Sequence, residues 1–246
     1  MGKYIYCFVC MLGIALCLSA EEPADYKLEV MDFTELKVTD NINVDYHCSA
    51  DSAGWAYFTC DPSISSMLLF SNNKSCLHIQ TATDGAIVTG LPTIHVYSSS
   101  LAKAENASDS TMRILSDVPV KSFSGKVIGN GTLIVNNVEA SVFEASIATG
   151  KGHIVLNNCK SQRAKLSNVG TGPIEAGGLV SKDVKAILFG TGDVDCTVNG
   201  TLPVYGAGSG KVYYGGNPEK VSNRSLGVKA FPVGDAKADD TEDKKK

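Results

Sequence analysis

The sequence predicts an all-β protein: a right-handed β-helix or β-solenoid-like stack of coils of about twenty residues, closed by a β-rich N-terminal cap. Three observations carry the prediction. Gly-x-Gly triplets begin at Gly129, Gly150, Gly170, Gly190 and Gly208, in steps of 21, 20, 20 and 18 residues. Two residues past each triplet stands an apolar side chain: Leu133, Ile154, Ile174, Val194 and Val212. Two further on, Val135, Leu156, Ala176, Cys196 and Tyr214 form a second column, with Ile134, Val155, Glu175, Asp195 and Tyr213 between. Alternation of this kind is the period-2 signature of a strand with one buried face. An antiparallel sandwich with glycine-rich turns is the competing architecture. Recurrence at the full coil length favours the stack.

The strand in each repeat stops at Asn136-Asn137, Asn157-Asn158, Gly177-Gly178 or Gly215-Gly216. Asn and Gly tolerate positive φ, so these dipeptides and the triplets are the expected corners. A further apolar run precedes each triplet, as in Ala145-Ser146-Ile147 and Val184 to Phe189. One coil cannot bury its own apolar face, so stability must come from stacking.

Taken in order, residues 1–20 read as a secretory signal peptide: Lys3, an apolar run over 4–18, then Ser19-Ala20 before Glu21. Cys17 stands where a lipid could be attached, but Leu16 before it is too large for the usual acceptor pattern. Residues 21–234 form the expected domain, divided into a cap over 24–120 and repeat coils over 121–234. The cap shows alternation at Val38, Ile42, Val44 and Tyr46, dense runs at Trp55–Phe58 and Met67–Phe70, and a strand at Thr93–Tyr97. A cap is needed because a bare end strand would polymerise edge to edge. Residues 235–246 are a charged tail with too little apolar surface to order.

Without the leader, 21 basic face 26 acidic residues, a net charge of −5, which argues against nucleic acid and gives no sign of an anionic-membrane surface. No second apolar segment is long enough to span a bilayer. Five cysteines remain, an odd number: Cys48, Cys60 and Cys76 lie close enough for one bridge, whereas Cys159 and Cys196 read as buried thiols. No metal, cofactor or nucleophile motif stands out, and His47, His78, His95 and His153 share no ligand spacing. The sequons at Asn73, Asn106, Asn130, Asn199 and Asn223 read as chance products of composition.

The candidate ligand surface is Glu175, Asp193 and Asp195, with Tyr205 and Tyr213 near the last coil. Stacked carboxylates could hold a cation or serve as an acid–base pair on a sugar, and tyrosines stack on sugar rings. A solvated polar face is the simpler account of the acids.

The string Phe33-Thr-Glu-Leu-Lys-Val38, the Gly-x-Gly coils and the closing Gly208-Ser-Gly-Lys-Val-Tyr-Tyr-Gly-Gly-Asn-Pro218 resemble the head GIN domain family, over roughly residues 30–220. These are exported proteins of Bacteroides-type bacteria, labelled auto-transporter adhesins. Family members repeat Gly-Ser-Gly-Asp; here only Gly190-Thr-Gly-Asp193 keeps the acid. The resemblance implies a β-solenoid-like fold, export to the periplasm or cell surface of a Gram-negative bacterium, and no catalytic residues. The expected function is therefore a non-enzymatic, adhesin-like envelope protein binding a glycan or an envelope or host surface protein. A polysaccharide-active β-helix enzyme and a periplasmic scaffold are the alternatives.

Overall fold

The computed structural model describes residues 22–82 and 88–233, so the leader expected over 1–20 and the tail expected over 235–246 lie outside the described residues. Strand β1 (Ala24–Glu29) opens the chain, followed by β2 (Glu35–Val38), β3 (Val44–Cys48) and β4 (Trp55–Cys60). A one-turn helix, α1 (Pro62–Ser65), leads into β5 (Leu68–Asn73), β6 (Cys76–Thr81) and β7 (Ile94–Ser98). Strands then succeed one another in pairs: β8 (Lys103–Asn106) and β9 (Thr111–Leu115), β10 (Val120–Ile128) and β11 (Thr132–Asn136), β12 (Glu139–Thr149) and β13 (His153–Asn157). β14 (Cys159–Asn168) and β15 (Ile174–Gly190) continue the stack, then β16 (Val194–Val198), β17 (Thr201–Gly208), β18 (Lys211–Gly216), β19 (Lys220–Leu226) and β20 (Lys229–Pro232).

The result is a β-solenoid of about 6 turns. Its first side runs β4–β7–β3–β9–β11–β13, through the start of β15, to β16–β18–β20. Its second side runs β5–β6–β2–β8–β10–β12–β14, through the rest of β15, to β17–β19. Pairing is parallel except for β1–β4, β4–β7 and β5–β6, which rules out the sandwich. A short third side is made by a bend in β12, β14 and β15. There the ladder skips Ser141, Gln162 and Lys182, between the paired columns Ala140–Ser161–Ser181 and Val142–Arg163–Asp183.

Coils stack further toward the N-terminus than the glycine triplets do. β2 and β3 already lie in the two ladders, and the chain visits them out of order: β6 and β7 stack on one flank of β2 and β3, β8 and β9 on the other. Among the described residues, only β1, β4, α1 and β5 cover the N-terminal end. Tyr26, Phe58 and Phe70 stack there at 5.1 and 5.8 Å between ring centroids and close the core.

Both apolar columns lie inside. Met112, Leu133, Ile154, Ile174, Val194 and Val212 are fully buried in one register, and so are Ile114, Val135, Leu156 and Ala176 in the next. Tyr214 is only partly buried against the core. Opposite them, Phe123 and Phe143 pack at 5.1 Å, and Gly125 leaves the space that the Leu133 side chain fills. The corners bear out positive φ, at Gly129 (102°) and Gly150 (83°) among the triplets, and add a second cause. Asn137 and Asn158 do adopt positive φ (61° and 51°), and their side chains hydrogen-bond coil to coil at 2.8 Å. The second glycines of the triplets, however, are needed for close approach. A Cβ on Gly172 would lie 1.9 Å from the Gly152 carbonyl oxygen, and one on Gly192 would lie 2.2 Å from that of Gly172. Backbones stacked at the inter-strand distance leave no room for a side chain there.

All five described cysteines are free thiols, so the bridge among Cys48, Cys60 and Cys76 does not form. Burial pushes the Cys159 thiol up to about 11 and the Cys196 thiol up to about 12. Asn106 is fully buried and its amide donates to the Ser110 and Thr132 carbonyls, so that sequon is a turn clamp.

Candidate functional site

A parallel stack turns sequence columns into straight outward rows. On the first side, Glu175, Asp195 and Tyr213 are successive neighbours in one row, as the repeat alignment predicts. Their polar atoms link coils. Asp195 accepts the Gly177 N–H at 2.9 Å, and Asp193 accepts the Lys211 N–H at 2.7 Å. Glu175 meets His153 Nε2 at 3.0 Å. Burial raises the Asp195 carboxyl above its ordinary value, against the lowering effect of the Gly177 hydrogen bond. Tyr213 stacks on Phe231, ring centroids 6.2 Å apart. Tyr205 is not with them. It lies on the second side, in the row Ile187–Tyr205–Arg224, with the Lys185 ammonium 5.1 Å from its ring. The expected five-residue surface is thus divided between two sides.

Sequence reasoning missed a denser group on the same first side. Out-of-order stacking brings β4, β7 and β3 together, and each exposes alternate aromatic or imidazole side chains. His47 stacks on Tyr97 at 4.9 Å and on His95 at 5.6 Å; Tyr57 meets Tyr97 edge-on at 5.5 Å. Lys27 on β1 places its ammonium 4.1 Å from the centre of the Trp55 ring. His47 Nε2 and His95 Nδ1 are 3.4 Å apart, but the nearly parallel rings do not aim their lone pairs at one point, so the pair is poorly built for a metal. Burial, with His95 beside it, lowers the His47 imidazole below its usual value. Next to this ladder, Asp25, Tyr57, Thr59, Thr93 and His95 help line a surface depression of about 430 Å³. The period-2 spacing of Trp55-Ala-Tyr57 and His95-Val-Tyr97 is visible in the sequence. Their adjacency is not, because it depends on an antiparallel cap strand meeting a parallel coil.

Fold and surface together define a β-solenoid that carries its exposed chemistry in straight outward rows. The profile described as "Putative auto-transporter adhesin, head GIN domain" matches residues 32–218, and the chain belongs to that family. Crystal structures share the fold. A putative adhesin from Bacteroides fragilis superposes with a TM-score of 0.76 at 18% identity, covering 85% of this chain and 97% of that one. A putative adhesin from Parabacteroides distasonis gives 0.68 at 23% identity, covering 86% and 98%. A protein from the same organism described as a putative lipid binding protein gives 0.69 at 17% identity, covering 85% and 97%. No curated protein matches the chain significantly. No helix among the described residues is long and apolar enough to cross a membrane.

Proposed function

We propose that the protein is a non-enzymatic, adhesin-like component of the envelope of a Gram-negative bacterium, and that the first side of the solenoid binds a glycan. The observation that carries the reading is the depression beside Tyr57. An aromatic ring suits the C–H face of a sugar, and the Asp25 carboxylate, the Thr59 and Thr93 hydroxyls and the His95 imidazole suit its hydroxyls. The rigid ladder beneath holds these groups without a large ordering cost on binding. Glu175 and Tyr213 lie further along the same side and are proposed as secondary contacts.

Binding to an array of host and bacterial glycans is the direct test. Tyr57→Ala should weaken binding by about tenfold, the scale of one lost stacked ring, and leave the melting temperature nearly unchanged. If no glycan binds, or if Tyr57→Ala binds as well as the parent, the reading fails. Protease shaving of intact cells decides whether the protein faces outward, as an adhesin must, or is protected in the periplasm.

A second reading, a polysaccharide-active enzyme, is favoured by one fact: a carboxyl raised above its ordinary value, Asp195, is the row neighbour of Glu175. Release of reducing ends, lost in Glu175→Gln, would establish it; no turnover across a broad substrate set would remove it.

A further inference from the structure

The second side changes character along its length. In its early coils the outward charges alternate in sign and pair. Lys37 meets Glu105 at 3.4 Å, Lys103 meets Glu35 at 3.3 Å, and Lys126 meets Glu105 at 3.4 Å. In its later coils Arg163 still faces Asp183, but cations outnumber acids. Past the bend, residues 163–168 of β14 and 183–190 of β15, with β17 and β19, carry five basic side chains and one acidic side chain, Asp183. Asp183 is itself taken up by the Thr201 N–H and hydroxyl, at 2.9 and 2.7 Å. Lys165 and Lys185 are direct row neighbours, an arrangement that costs stability. Lys165 has only a long, exposed contact with Glu144, at 3.8 Å. Arg163, Lys220 and Arg224 form no ion pair with a described residue.

An apolar row runs parallel to these cations, along the edge next to the glycine corner. Phe189, Ala207 and Leu226 are successive ladder neighbours. Val169, one residue past the paired Asn168 and Leu188, extends the row by register. Val169 is 50% exposed, Phe189 52% and Leu226 79%. A face that carries the Lys165–Lys185 pair and Arg224, beside a straight row of exposed apolar side chains, matches the two layers of a lipid surface, phosphate outside and acyl chains within. A polyanionic sugar chain would satisfy the cations but has nothing to bury Phe189 and Leu226.

We infer that the later coils of the second side dock the protein on an anionic lipid bilayer, with Lys165, Lys185 and Arg224 on the headgroups and Phe189 and Leu226 seated at the headgroup–acyl boundary. The inference does not depend on the glycan reading, which concerns the other side. Bilayer affinity comes from this one edge, so it weakens with salt and with loss of either the charges or the apolar row.

The test is sedimentation of the purified protein with vesicles of about 30% phosphatidylglycerol in phosphatidylethanolamine, against pure phosphatidylcholine. Binding is expected only to the anionic vesicles, and should fall steeply between about 0.1 and 0.5 M salt. Lys185→Glu restores alternation of sign along the row that Glu144 and Lys165 begin, so it should keep or slightly raise the melting temperature while reducing binding by roughly tenfold or more. Phe189→Ser with Leu226→Ser should reduce binding with all charges intact, and Lys121→Glu, away from the edge, should not. No sedimentation with anionic vesicles overturns the inference. So does binding unaffected by the Phe189 and Leu226 changes, and so does a protein that binds dextran sulfate but not vesicles, which would assign the cations to a soluble polyanion.

Discussion

The early and late coils of this solenoid share one architecture and differ in what they do with it. Up to β11 the stack includes coils taken out of order around β2 and β3, covers its end with antiparallel strands, and neutralises its outer charges in Lys–Glu rows. From β12 onward the coils follow in sequence, their corners close on glycine carbonyls, and cations outnumber acids on the second side. Parallel in-register stacking places each side chain beside its counterpart about one repeat away. Whether charges alternate or accumulate is therefore set by the phase of the repeat, independently of the fold. Alternation stabilises the stack; accumulation costs stability and leaves a charged edge for something else.

The largest effects should come where the two regions do not differ. Met112→Asp in an early coil and Ile154→Asp in a later one each place an unpaired charge in the same fully buried ladder. Each should cost about 4 kcal/mol or prevent folding, measured by chemical denaturation. A harmless Ile154→Asp would mean that the inner ladder is misassigned. Gly172→Ala should also be severe, because its Cβ would collide with backbone of the coil before it, as one on Gly131 would in an early coil. A loss of roughly 3 kcal/mol is expected there, against little for Gly177→Ala, whose Cβ would meet only the Asp195 carboxylate, at 3.3 Å.

Smaller effects test the outer rows. Glu105 is 14% exposed and accepts two lysines, so Glu105→Gln should cost about 1 kcal/mol and lose most of that difference in high salt. An equal loss in Lys185→Glu would break the comparison, since that change should be neutral or favourable. The smallest effect is at Asp195. Its folded carboxyl titrates above the ordinary 3.8, so the folded state holds the proton more tightly than the unfolded chain. That contribution favours folding at acid pH and is lost as pH rises from about 3.8 through the folded value. Asp195→Asn keeps an acceptor for Gly177, and should melt at or slightly above the parent at about pH 7, with the gain vanishing below about pH 4.

What the sequence determined by itself is the repeat: the inner columns, the outward row of Glu175, Asp195 and Tyr213, and the corners all follow from period-2 alternation at a twenty-residue step. These are local or strictly periodic, so a linear reading reaches them. It named the glycine corners and the positive φ of first glycines such as Gly129 and Gly150, but not the close approach that demands the second ones, because the space that excludes a Cβ there belongs to the neighbouring coil. Only the tertiary structure decided that β6 and β7 stack beneath β2 and β3, and so brought Trp55, Tyr57, Tyr97 and His47 together. It also separated Tyr205 from Tyr213, since a bend within each coil puts residues eight apart on different sides. And it gave an acidic chain a basic edge: a net charge sums over the whole sequence, whereas a stacked row collects only the residues that share a phase.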